Sequence, residues 1–294
     1  MNGFVRIVEK LDTLDRRWVF LVVGAAVVIS TLFGLTFPEI PTPMVQAVFN
    51  QIDGLPEGSR VLMAFDYDPS TEPELQPMAD AYVRHCAEKG LKICFIALWP
   101  LGQNMVEGVV ENVISREYPH LEYGRDYMEL GYKSGNEGVI AVILTDLKKL
   151  YTTDADGTNI DQIPMLRGVP NIRSFDLILN VSAGYPGLKE WIQYAGTPGN
   201  IPVAGGCTAV QAPLLYPYYP DQLTGLMGGI KAAAEYESLM KTRFPEKYED
   251  IELLSALKRM GPQTVTHLAI VFFIILGNVT FTILRKQRQA AKAN

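Results

Sequence analysis

The chain has 294 residues, 48% of them hydrophobic and 20% charged, with a formal net charge of −6. The acidic balance argues against a nucleic-acid partner, whose phosphates it would repel. Three cysteines supply no disulfide framework, so any globular part must rely on a hydrophobic core.

Residues 1–17 read as a short cytoplasmic arm. Residues 18–37 (WVFLVVGAAVVISTLFGLTF) follow, without a charge. A bilayer core of about 30 Å needs roughly 20 helical residues, which predicts a first transmembrane helix over 18–37. Its apolar run exceeds a signal-peptide core, and the flank PEIPTPM lacks a small-residue cleavage site, so it reads as an uncleaved anchor. Residues 38–58 predict a Pro-punctuated linker with a short helix. An α/β domain is expected over 59–248. Buried strands are expected at 60–67 (RVLMAFDY), 91–99 (LKICFIALW), 138–144 (GVIAVIL), 175–181 (FDLILNV) and 201–204. Amphipathic helices are expected at 74–89 and 103–115. Such alternation implies a three-layer, mostly parallel sheet covered on both faces, with a flavodoxin-like or amidotransferase-like strand order.

Residues 221–241 (DQLTGLMGGIKAAAEYESLMK) predict a helix whose Gly225, Gly229 and Ala233 fall at i, i+4 and i+8, with Gly228 and Ala232 beside them. Interior glycine is costly in a helix, so the stripe implies close backbone approach. Either the domain's own sheet or another subunit would supply it. With Tyr216, Tyr218 and Tyr219 of the aromatic, Pro-rich segment 214–220, these residues form the candidate partner surface. An amphipathic connector is expected at 249–263, broken by Gly261 and Pro262. Residues 264–284 (TVTHLAIVFFIILGNVTFTIL) predict a second transmembrane helix containing His267, and 285–294 a basic cytoplasmic tail. Arg6, Lys10, Arg16 and Arg17 before the first span, and Arg285, Lys286, Arg288 and Lys292 after the second, place both termini in the cytoplasm. The intervening segment, with 29 acids and 18 bases, is then extracytoplasmic.

Three segments at strand ends or loops carry potential chemistry. Asp66 and Asp68 follow the first predicted strand, where paired acids suit Mg²⁺ with a phosphate. Their Asp-x-Asp spacing resembles the first motif of haloacid-dehalogenase-like phosphotransferases, and Asp146 would take a later role in that pattern. Ser70 and Thr71 fit equally well as caps of the next helix. Asp154, Asp156 and Asp161 alternate with a glycine as in part of a calcium loop, without its closing glutamate. Ca²⁺ binding or a solvated turn both fit. Cys207, after Gly205 and Gly206, resembles the nucleophile elbow of glutamine-amidotransferase-like domains. That elbow requires a following helix and a histidine base, and the succeeding VQAPLLYPYYP supplies no such helix. Residues 184–187 (GYPG) read as a tight turn or a weak anion cradle.

The order of arm, span, α/β ectodomain and closing span is similar to gliding-motility-type auxiliary subunits of ABC transport complexes, with likeness in residues 55–62 and 66–74. The resemblance implies a non-catalytic, amidotransferase-like domain in a multiprotein membrane assembly. The leading expectation is therefore a membrane-tethered scaffold or binding subunit with no cofactor, whose partners are the bilayer and other subunits or itself. The alternative is a metal-dependent enzyme or ligand sensor using the strand-end acids with Mg²⁺ or Ca²⁺.

Overall fold

The structure, a computed structural model, describes residues 10, 13 and 15–293. The remainder of the expected N-terminal arm and the last residue lie outside the described residues. The chain forms two compact units, Met1–Pro38 with Leu257–Asn294, and Glu39–Ala256.

Glu39–Ala256 is the α/β unit. Helix α1 (Arg16–Leu32) belongs to the other unit, and the α/β unit opens with α2 (Pro43–Asp53). Next come β1 (Arg60–Asp66), α3 (Glu72–Glu88), β2 (Lys92–Ala97) and α4 (Gly102–Val109). A π turn carries α4 onward over Val110–Ile114. The chain continues with β3 (Tyr127–Tyr132), α5 (Glu137–Ile143), β4 (Leu177–Ser182), α6 (Leu188–Trp191), β5 (Val203–Cys207), β6 (Gly225–Gly228) and α7 (Gly229–Arg243). The six strands form one sheet in the order β3-β2-β1-β4-β5-β6, and every neighbouring pair is parallel. Parallel strands covered on both faces lose the polar alternation of half-exposed ones, which is why the interiors of β1 and β2 read as unbroken apolar runs and that of β4 as one broken only at Asn180. Within β1, Leu62 and Ala64 join the core of α5 and α6. Val61, Met63 and Phe65 alternate with them and are equally buried, so they face the opposite layer. There α3 packs on α4 and α7.

The α/β class of the expectation holds, while several elements differ. The strand order is the doubly wound 3-2-1-4-5-6 arrangement, not the flavodoxin order. Residues 138–144 lie in α5 or its end, not in a strand. A short run of Val, Ile and Leu has no period that separates buried strand from buried helix. The actual third strand, β3, reads YMELGY, where Glu129 and Gly131 interrupt the apolar pattern. The fifth strand begins at Val203, two residues later than expected. The predicted helix 221–241 divides into β6 and α7. Gly229 sits at the junction with a left-handed φ of +73°, a conformation that a side chain strains.

In the other unit, α1 covers 17 residues, about 25 Å, and stops five residues before Phe37. The amide of Leu35 bonds Ser30 O and that of Gly34 bonds Thr31 O, with Gly34 at φ +56°. This glycine-terminated cap ends the helix although the sequence stays uncharged. Helix α8 runs Ser255–Ala293, so the expected connector with a break at Gly261 and Pro262 is instead one continuous helix from Ser255. The glycine serves close approach, since a Cβ on Gly261 would fall 1.5 Å from Leu35 O. Pro262 has no N–H for the ladder, and one turn on the Thr266 hydroxyl donates to Pro262 O. Within α8, the stretch Ser255–Lys286 is long and apolar enough to cross a membrane.

Candidate functional site

In a doubly wound sheet the ligand crevice lies beyond the carboxyl ends of the strands where the winding reverses, here between β1 and β4. Asp66 ends β1 at that point and is fully buried. Three N–H donors converge on its carboxyl group. Leu98 N donates to Oδ1 at 2.8 Å. Asn180 Nδ2 and Trp191 Nε1 each donate to Oδ2 at 2.8 Å. Asn180 lies inside β4 and Trp191 ends α6, so one carboxyl group joins β1, the end of β2, β4 and a covering helix. Above it, Trp99 Nε1 donates to Pro186 O, and a Cβ on Gly184 would meet the Trp99 ring at 3.1 Å. The 184–187 loop is therefore folded down onto an indole. Gly187 N donates to Glu190 Oε2, and Leu188 N to Ser182 Oγ, so these two amides are already engaged by the protein. A pocket of about 240 Å³ remains beside the loop, lined by Ser182, Gly184, Tyr185, Leu188, Glu190 and Gln211 among others.

Burial pushes the Asp66 carboxyl up to about 7, against the pull of the three donors and with the help of nearby Glu190. Burial acts oppositely on His85 in α3, lowering it to about 4 despite Asp53; its Nδ1 lies 2.6 Å from Tyr236 Oη. The two groups impose opposite pH dependences. For Asp66 the folded state holds a proton that the unfolded chain has lost, so its contribution is complete below about 3.8 and fades as pH rises through about 7. For His85 the contribution is complete above about 6.5 and fades as pH falls through about 4. Between about pH 4 and 6.5 the slopes oppose each other. Denaturant titrations of the intact protein in detergent should show Asp66→Asn gaining stability with rising pH relative to the wild type, and His85→Gln losing it. Parallel curves for all three proteins would contradict this assignment.

The other sequence-predicted acids stand apart from Asp66. Asp68 accepts from Ser70 N and Ser70 Oγ in the turn leading to α3, and the Thr71 hydroxyl donates back to Asp68 O. Asp154 accepts from Asp156 N, Thr158 N and Tyr123 Oη, which closes its loop upon itself, while Asp156 is exposed. Asp146 accepts from Lys148 N, and Lys148 pairs with Asp161. Asp146 lies toward the amino ends of the strands, away from Asp66 at a carboxyl end. Glu137, which starts α5, bonds Tyr185 just beyond β4, whereas Leu147 bonds Pro170, well before β4 begins. Asp66, Asp68 and Asp146 are thus not brought together around one ion. Among the described residues no group of three or more His, Cys, Asp or Glu is arranged to hold a metal.

Cys207 ends β5, and burial, with Glu74 nearby, pushes its thiol up to about 12. That is opposite to the thiolate a nucleophile needs, and the next helical turn, Ala212–Leu215, has four residues. The small-residue set is largely consumed inside the fold. A Cβ on Gly225 would meet Val48 N of α2 at 2.6 Å, and those on Gly228 and Gly229 would meet Ala212 and Ala209 at 2.7 Å. Ala233 is fully buried and Ala232 nearly so. Tyr218 Oη accepts from Gln193. Tyr216, Tyr219, Gly228 and Ala232 do meet, in an open pocket of about 440 Å³ that also includes Met44 and Lys231.

The sequence reading passed over Asn180, Trp191 and Glu190. One signal was visible: Asn180 is the single polar residue amid LILNV, and a buried amide needs partners.

No family model matches the chain, and no curated protein does. Among solved structures it is similar to trehalose-6-phosphate synthase OtsA, at 12% identity and a TM-score of 0.28. That likeness covers 84% of this chain and 48% of the other, so this chain spans about half the length of the structure it matches.

Proposed function

We propose that the protein is a membrane-anchored, non-catalytic binding or scaffold subunit of a multiprotein membrane complex. The observation that carries this reading is the state of the switch-point crevice. Its fully buried acid, Asp66, is saturated by three donors that tie four elements together, and the second buried acid, Glu190, accepts from Gly187 N of the overlying turn, so both act as struts and not as reagents. The loop after β1 reads DYDPSTEP, without the glycines that let backbone approach a phosphate. The helix Ser255–Lys286 supplies the anchor, and the uncharged run 18–37, helical through Leu32, supplies a second. Basic residues outside both spans favour cytoplasmic termini and an extracytoplasmic acidic domain. The likeness of residues 55–62 and 66–74 to ABC-transport auxiliary subunits favours a transport assembly as the host.

The test is native purification of the intact protein in mild detergent, followed by mass spectrometry and size measurement. A stoichiometric membrane assembly supports the proposal, and a lone monomer from membranes of normal expression level removes it. A cysteine placed in the 285–294 tail should be labelled from the cytoplasmic side only.

A second reading, a metal-dependent enzyme or ligand sensor, has one observation in its favour. Burial and the neighbouring Glu107, Asp156 and Asp154 push the Glu129 carboxyl up to about 7, so acids are crowded beside β3. If Ca²⁺ or Mg²⁺ relieves that crowding, millimolar metal should raise the melting temperature by several degrees, and Asp156→Asn should abolish the rise. No rise in the wild type retires the second reading.

A further inference from the structure

We propose that α8 pairs with α8 of a second copy of this chain inside the bilayer, through a seam centred on Asn278. The proposal rests on the membrane reading above and names one of the partners it requires. Helix α8 has two unlike faces. One holds Ile270, Phe273, Ile274, Leu276, Gly277 and Thr280, which share a groove with Val19, Phe20 and Val23 of α1, with Ile274 at the edge of that groove nearest Asn278 and the buried Leu284 on the groove side. At about 100° per residue, Asn278 lies some 160° from both Leu276 and Thr280. Its own face carries Val271, Ile275 and Thr282, all exposed. These positions are spaced 4-3-4, the repeat that keeps one seam against a neighbouring helix.

Seven residues, about 10 Å, separate Asn278 from Arg285, so with 264–284 spanning the bilayer the amide lies in hydrocarbon. One of its N–H groups donates to Ile274 O, and its side-chain oxygen accepts no hydrogen bond among the described residues. A primary amide facing lipid with an idle acceptor and a second N–H is unfavourable, and intramembrane polar side chains pair across helices. The seam has no charge that would call for a counter-ion on a different protein. An amide both donates and accepts, so it can satisfy itself across a two-fold axis. Copies inserted in the same orientation hold Asn278 at one depth, which is the geometry a parallel pair requires.

Oxidative cross-linking in native membranes tests the seam on the full-length protein. The three native cysteines are buried, so introduced ones can be read in the wild-type background. Val271→Cys, Ile275→Cys and Thr282→Cys should give dimers, and Leu276→Cys, on the α1 side, should not. In mild detergent Asn278→Leu should weaken the dimer about threefold to tenfold, with Asn278→Gln retaining it. Equal cross-linking at all four positions, none at any, an adduct with a different protein, or a dimer unaffected by Asn278→Leu would each overturn the proposal. Alkaline extraction of the same membranes separates the two failures. A monomer that stays in the pellet refutes the seam alone, and a chain released to the supernatant refutes the membrane reading beneath it.

Discussion

Asp66→Ala is expected to cost about 4 kcal/mol of stability, and to lower the melting temperature of the intact protein by on the order of 10 °C. The substitution leaves Leu98 N, Asn180 Nδ2 and Trp191 Nε1 without their acceptor in a site with no exposure. Each orphaned buried donor costs about 1–3 kcal/mol, and relaxation or an entering water returns part of that sum. Asp66→Asn keeps the shape and one acceptor oxygen, so about half the loss is expected. Thermal denaturation followed by circular dichroism in detergent decides the matter, and it bears on function as well as on stability. Residues poised for catalysis are commonly neutral or destabilising to the fold. A melting temperature within about 2 °C of the wild type would show that Asp66 is not a strut, and would reopen the crevice as an active site.

Gly225→Val should be nearly as damaging, at about 3 kcal/mol. Here the obstacle is backbone: the first added carbon lies 2.6 Å from Val48 N and 2.9 Å from Met44 O. Neither atom belongs to a side chain that can rotate away, so α2 must leave the β6 edge of the sheet or the strand must shift. Gly108→Ala is the matched control. Its added carbon meets nothing within 4 Å near the end of α4, where the π turn continues the helix, and it should stabilise by about 0.5–1 kcal/mol. Similar effects from the two substitutions would mean that α2 does not press on β6 as described. A side chain at Gly229 would likewise strain a left-handed residue against Ala209.

Legibility in the sequence followed the physics of each segment. Strands β1, β2 and β4 are buried on both faces, which leaves a near-continuous apolar run as their signature, broken in β4 only by Asn180. The amphipathic α3 and α4 announced themselves by their period. The run in α5 is seven residues long, too short for a period to choose between helix and strand, and β6 has only four residues, two of them glycine. Gly225, Gly229 and Ala233 do fall at helical spacing, but the need that placed Gly225 there is the approach of α2 from another part of the chain. Strand order is likewise invisible to local pattern, because it depends on which side of β1 the chain returns to after β3. The Asp66 site was half legible. Its acid was noticed for its position after a strand, but its partners lie 114 and 125 residues away, and only their convergence reveals a strut where the spacing suggested a metal.

Both ends of the α/β unit are fastened to one helix. Glu235 of α7 accepts from Thr42 N and Thr42 Oγ1, Ser238 donates to Glu39 O, and Glu237 accepts from Ala256 N. The unit is therefore a closed loop of chain with its entry and exit a few residues apart along α7, the geometry that tolerates transplantation and circular permutation. Residues 39–256 can be treated as a cassette, cut out and rejoined through a short linker. Tension applied through the two tethers would fall first on α7 and its carboxylates, leaving the sheet hydrogen bonds unloaded until those clasps gave way.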